Sequence, residues 1–196
     1  MLFKMIPLFD KKQFTKIPYT TVLLILFNIV FFFSFKDNLN EIIYSYGFIP
    51  GDFNFTHILT SMFLHVNFAH LMVNMWFLWI FGDNVEKKIG HTKFLFFYLL
   101  CGILSTLIYF FFAGENLNVP LVGASGAISG VLGSYIILFP KNKLRVFPNF
   151  VFCSFWYIFT WFCIQLLFMY LGGGNVAYLG HVGGFISGLL LIFFFK

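Results

Sequence analysis

Four polar side chains in an otherwise apolar sequence have the types and spacing to break a peptide bond: Ser125, His181, His70 and Asn74. A serine hydroxyl is a poor nucleophile until a neighbouring base takes its proton, and histidine is the usual base because its imidazole titrates near neutrality. Attack on an amide builds negative charge on the carbonyl oxygen, and each donor aimed at that oxygen lowers the barrier by about 2.7–4 kcal/mol. The backbone N–H of Ser125, near a helix N-terminus, and the side chains of His70 and Asn74 are groups of that kind. The chemistry they point to is acyl transfer, with Ser125 as nucleophile, His181 as general base, and His70, Asn74 and the Ser125 amide around the oxyanion.

The elements that must carry these groups are membrane spans. Sixty per cent of the 196 residues are hydrophobic, 10% are charged and 33 are Phe, more apolar surface than a soluble domain of this length needs. A helix crosses the hydrocarbon core with about 20 apolar residues. Such stretches recur at 19–35, 68–83, 93–112, 123–140, 149–171 and 177–195, which predicts six transmembrane helices in an all-α membrane protein. The first span lies too far from the start, and lacks the small-residue cleavage site, to be a removable signal peptide, so it is expected to stay in the mature chain.

Orientation follows from the basic residues. Lys4, Lys11, Lys12, Lys16, Lys87, Lys88, Lys93, Lys141, Lys143, Arg145 and Lys196 all fall on one side of this arrangement. Lys36 alone falls on the other, with Asp37, Glu41, Asp52 and Glu115. That bias of eleven to one predicts cytoplasmic N- and C-termini. The net charge of +5 is thereby a topological signal, with anionic headgroups as neighbours, and not the mark of a nucleic-acid-binding protein. Residues 1–18 form a cytoplasmic segment, residues 19–195 the core, and 36–66 an outer loop, all within a single polytopic domain covering 1–196. The loop is half apolar and is expected to pack against the bundle or enter the outer leaflet.

Three of the spans enter from the outer side with their polar residues at one level. Asn67 can cap the helix that begins at Phe68, which places His70 in its first turn and Asn74 four residues on along the same face. Ser125 lies in the first turn after Pro120, and His181 just beyond the turn Gly172-Gly173-Gly174-Asn175. Small residues at Gly126, Gly130 and Gly133 on one helix, and Gly180, Gly184 and Gly188 on another, allow close helix approach. A direct contact through Gly126, Gly130, Gly184 and Gly188 is the expectation, because a short serine reaches a histidine on a second helix only if the backbones nearly touch.

With these residues in view, the sequence resembles the rhomboid intramembrane serine proteases. Gly123-Ala124-Ser125-Gly126-Ala127-Ile128-Ser129-Gly130 is similar to their GxSG nucleophile segment and Gly180-His181-Val182-Gly183-Gly184-Phe185 to their AHLGG segment. His65, His70 and Asn74 fit the HxxxxHxxxN pattern, and Gly82, Glu86 and Gly90 the GxxxExxxG element. The resemblance runs from about Thr60 to Gly188. It implies a six-helix rhomboid-like bundle, a Ser125–His181 dyad without an acidic third member, and an oxyanion site involving His70 and Asn74. It further implies cleavage of single-span transmembrane proteins near the outer membrane face, with membrane lipid around the chain and no cofactor. A bacterial or archaeal cell membrane, with the site facing out, is the expected location. Two departures stand out: Ser129 occupies the place where some members have an aromatic residue packed on the catalytic histidine, and Thr56-His57 aligns with a Trp-Arg pair of the outer loop.

Other residues receive plainer readings. His65 is expected to anchor a loop by donating to backbone carbonyls, and Glu86 to order a loop or pair with a base. Cys101, Cys153 and Cys163 lie within spans without metal spacing and read as apolar filler. No His-Glu-x-x-His run is present for a membrane metalloprotease, and no paired carboxylates lie in the spans for an aspartyl mechanism. A non-catalytic relative that binds or chaperones transmembrane helices remains an alternative, as does a channel or small transporter, which the lack of ionisable residues along an inner path disfavours. The oligomeric state is not legible.

Overall fold

The computed structural model describes residues 7–10, 17–112, 117–146, 150–172 and 177–196. Lys4, Lys11, Lys12, Lys16, Glu115 and the Gly173-Gly174-Asn175 part of the turn lie outside the described residues. The chain is mostly helical, with strand β1 (Pro7–Asp10) and helices α1 (Tyr19–Phe35), α2 (Leu39–Tyr46), α3 (Phe55–Thr60) and α4 (Phe68–Phe77). A π turn (Leu78–Gly82) joins α4 to α5 (Asp83–Ile89), and α6 (His91–Phe112), α7 (Ser125–Leu138), β2 (Lys143–Val146), β3 (Phe150–Cys153), α8 (Ser154–Tyr170) and α9 (Tyr178–Phe195) follow.

By length and composition, three helical segments can each cross a bilayer: Tyr19–Tyr46, α6 and α9. The bent pair Phe55–Phe63 and Phe68–Ile89, which turns by 88°, makes a fourth if it counts as one span. The helices expected at 123–140 and 149–171 are shorter, 14 and 17 residues, or about 21 and 26 Å against a hydrocarbon core of about 30 Å. For α7 the reason is its position. Every residue from Ala127 to Ile136 is buried, so protein surrounds the helix.

The all-α expectation needs one correction. A three-stranded antiparallel sheet in the order β1-β2-β3 occupies the basic end, and residues 150–153, read from sequence as the start of a span, are its third strand. Pairing of Leu144 with Phe152 and of Arg145 with Val151 fixes the β2–β3 register. Leu144 and Val146 are buried while Lys143 and Arg145 point outward, the alternation that a one-sided sheet requires. The hairpin is tied to the end of α7, where Ser154 donates to Phe139 O at 2.5 Å and the Ser154 amide to Asn142 O at 2.7 Å. Cys153 therefore leaves the set of span cysteines; its thiol donates to Pro140 O at 2.8 Å.

α1 inverts the soluble pattern. Thr21, Leu24, Asn28 and Phe32 form its buried stripe, whereas Leu23, Leu26, Phe27 and Val30 face outward, as lipid contact demands. Its start has Pro18 at the N-cap and no side-chain cap. The fully buried Glu86 supplies one from α5, accepting from Thr20 N (2.8 Å), Thr21 N (2.7 Å) and Thr21 Oγ1 (2.6 Å). Its other partner is His91, whose Nδ1 lies 2.5 Å from Oε1. Glu86 thus joins α1, α5 and the start of α6, a structural role far from Ser125.

Residues 36–66, expected as an outer loop, are folded and not a linker. Phe48 is fully buried against Phe53 and Phe110, and it exchanges two backbone hydrogen bonds with Leu121 (3.1 and 2.7 Å). Burying a phenylalanine contributes about 1.5–3 kcal/mol. Here that burial holds the loop on the segment leading into Ser125. Asn54 caps α3 through Thr56 N at 2.9 Å, and Thr60 donates to Tyr46 O at 2.6 Å, so polar side chains do the anchoring around Thr56-His57.

Candidate active site

Three helix starts converge at the end opposite the sheet. Asn67 caps α4 by accepting from His70 N at 2.8 Å, so His70 and Asn74 occupy its first two turns on one face. Ser125 is the first residue of α7, and its N–H is among the orphan donors of that helix start. His181 is the fourth residue of α9, its N–H bonded to Ala177 O at 3.2 Å. Lys93 Nζ reaches Phe195 O at 3.4 Å, which places the start of α6 beside the end of α9 and so far from this cluster.

Ser125, His181, His70 and Asn74 all line one cavity of about 530 Å³, with Ser105 and Thr106 of α6 and residues 120–123 also in its wall. Gly123 has φ +123°, a conformation that L side chains avoid, and its amide donates to Ser61 O at 2.9 Å. A side chain there would begin 2.8 Å from His70 Cε1, 3.0 Å from His70 Nε2 and 3.6 Å from Ser125 Oγ. Glycine is therefore needed twice over, for the backbone turn and for the space between His70 and the hydroxyl.

The cavity contains donors without partners. Asn74 Nδ2 and His70 Nδ1 are buried and make no hydrogen bond to any described residue. The ring of His65 meets that of His70 edge-on at 5.2 Å. His65 is the expected loop anchor: it hydrogen-bonds the Phe63 backbone and packs against His70.

His181 is held on three sides. Its Nδ1 lies 2.8 Å from Gln165 Oε1 of α8, its ring is 6.3 Å from that of Trp161 at a tilt of 32°, and Tyr178 meets it edge-on at 6.3 Å. These contacts take the place of the aromatic residue missing at position 129. Ser129 is buried and donates to Ser125 O at 2.7 Å. Gln165 escaped the sequence reading, which took Trp161 as a packing or interfacial belt residue. The available signal was a buried-type amide inside an apolar span, four residues after a tryptophan.

The reach between Ser125 and His181 comes from the contact of α7 with α9. A Cβ on Gly184 would overlap the Gly126 carbonyl, and one on Gly188 the Gly130 carbonyl, so the two backbones meet with nothing between them. Gly126 and Gly130 present their other side to Ser105 and Cys101 of α6, which puts α7 between α6 and α9. Ser105 Oγ also donates to Gly180 O at 2.7 Å, tying α6 to the turn that carries His181.

Residues 52–196, most of the chain, match the family model of the rhomboid domain. The chain belongs to the rhomboid family. Among its relatives, this rhomboid is 33% identical over 135 residues to the rhomboid protease GluP of Bacillus subtilis, covering 67% of this chain and 24% of that protein. It is 33% identical over 140 residues to the mitochondrial rhomboid protein 1 of Saccharomyces cerevisiae, 68% of this chain and 40% of the relative. To the mitochondrial presenilin-associated rhomboid-like protein of Homo sapiens it is 28% identical over 135 residues, 67% and 36%. The chain thus spans less than half the length of the curated relatives it matches. An integral membrane protein is what family and helices support, but the mitochondrial relatives run against the expected restriction to a bacterial or archaeal cell membrane.

Proposed function

We propose that this rhomboid is an intramembrane serine endopeptidase that cleaves single-span transmembrane proteins close to the outer membrane face. One observation carries the reading: Ser125, His181, His70 and Asn74, contributed by three helices, share the wall of one cavity at the end of the bundle away from Lys143 and Arg145. In this reading His181 Nε2 takes the Ser125 proton as Oγ attacks the scissile carbonyl. Asn74 Nδ2, His70 and the Ser125 N–H then donate to the oxygen that becomes negative. The protonated imidazole passes its proton to the leaving amine, and a water entering through the cavity hydrolyses the acyl-enzyme with His181 again as base. No cofactor enters any step.

The proposal includes the topology: one polytopic domain over 1–196 with six crossings, α7 and α8 completing theirs with flanking segments, and both termini cytoplasmic. The buried position of α7 and the clustering of exposed Lys143 and Arg145 at the end away from the cavity support it. The test replaces Ser125 by Ala and follows cleavage of a single-span reporter protein in liposomes. Cleavage is expected to vanish; a Ser125→Ala protein that cuts at the parent rate removes the nucleophile assignment.

A further inference from the structure

We infer that Gln165 is a positioning residue that selects the working tautomer of His181, which makes the dyad a Ser125–His181–Gln165 relay with a neutral third member; this rests on the reading of Ser125 and His181 given above. An imidazole serves as general base at Nε2 only if its proton sits on Nδ1. Gln165 is 7% exposed, and its Oε1, which can only accept, lies 2.8 Å from His181 Nδ1. The bond therefore calls for a hydrogen on Nδ1 and leaves the Nε2 lone pair for the serine proton.

The surroundings give the ring little freedom to satisfy that bond in another orientation. Trp161 lies one turn before Gln165 on α8, so a single face of that helix both flanks the ring and hydrogen-bonds it. Tyr178 closes the far side from α9 itself. An amide is well suited to this place. A carboxylate at 7% exposure beside apolar rings would carry a large desolvation cost, whereas an amide dipole orients the imidazole, and steadies the imidazolium formed during attack, without a buried charge at rest. Among the described residues, the other titratable groups that share the cavity or touch the ring are His70 of α4 and Tyr178 of α9.

The experiment compares the parent with Gln165→Leu, Gln165→Glu and Ser125→Ala. In Gln165→Leu, kcat for a single-span reporter should fall about tenfold, the loss of one oriented hydrogen bond, while KM stays within about twofold. Gln165→Glu restores an acceptor. It should recover most of that rate, and its negative charge should move the acidic limb of the kcat/KM profile to higher pH, because a carboxylate favours the protonated ring. Nitrogen NMR of histidine-labelled Ser125→Ala protein, with and without Gln165→Leu, reads the His181 tautomer without catalysis. The Nδ1–H form should dominate with Gln165 and give way without it. An unchanged tautomer, or parental kcat in Gln165→Leu, overturns the role of Gln165 while the dyad stands. Cleavage by Ser125→Ala overturns the dyad and this inference with it.

Discussion

Replacing Gly184 by alanine tests most directly how the fold sets the distance between Ser125 and His181, the proposed nucleophile and base. Gly184 lies three residues beyond His181 on α9 and faces Gly126, the residue after Ser125. A Cβ there overlaps the Gly126 carbonyl oxygen and stands 2.9 Å from its carbon, where ordinary contact begins at 3.4 Å. Relief takes at least 3.4 − 2.9 = 0.5 Å at the carbon and more at the oxygen. The obstacle is helix backbone and cannot rotate aside, so α7 and α9 must part by on the order of 1 Å, at a cost of about 1–3 kcal/mol in stability. Better helix propensity offsets only about 1 kcal/mol of that. A misplacement of about 1 Å between reacting groups costs about 100-fold in rate.

Gly184→Ala should therefore lose about 100-fold in kcat in the liposome cleavage assay with little change in KM, in protein shown to be folded by its thermal unfolding. Gly180→Ala is the control. Its Cβ would meet Ser105 Oγ at 3.4 Å and Ala177 Cβ at 4.0 Å, ordinary contacts, so it should keep its rate within about twofold. Folded Gly184→Ala that cuts as fast as the parent would falsify the claim that this contact sets the Ser125–His181 distance. Equal damage from Gly180→Ala would do the same.

Other outcomes can be stated from single contacts. Asn74→Ala removes a buried, unpartnered donor from the cavity and should lower kcat by about 10²–10³ at nearly constant KM, measured with the same reporter; a change confined to KM would remove Asn74 from the oxyanion site. Glu86→Ala deletes the acceptor for Thr20, Thr21 and His91 and should destabilise the protein by about 3–5 kcal/mol in thermal or denaturant unfolding, with the rate per folded molecule retained. Unfolding at the parental midpoint would show that α1 is held by other means.

The family and the makings of the site were legible because they are local. Helix starts announce themselves by neighbours: Asn67 three residues before His70, Pro120 and Gly123 shortly before Ser125, the glycine turn before His181. A span is visible from its own composition, and the one-sided lysines describe its direction without any knowledge of packing. From sequence alone these facts determined a membrane bundle with Ser125, His181, His70 and Asn74 at one level and glycines on the helices that had to meet.

Only the tertiary structure decided what touches what. β1 pairs with β2 across more than 130 residues, Pro7 with Val146, and Phe150–Cys153 reads in sequence like any other apolar stretch until that partner is known. Glu86 caps a helix that begins 67 residues earlier in the chain, Tyr19, and Gln165 reaches His181 sixteen residues on but on another helix. Periodicity and capping depend on a residue and its nearest few neighbours, so a sequence displays them. Ring packing, a distant cap and the choice of imidazole tautomer depend on which helices lie side by side, and that is settled by close contacts such as Gly184 on Gly126, which exist only once the chain has folded.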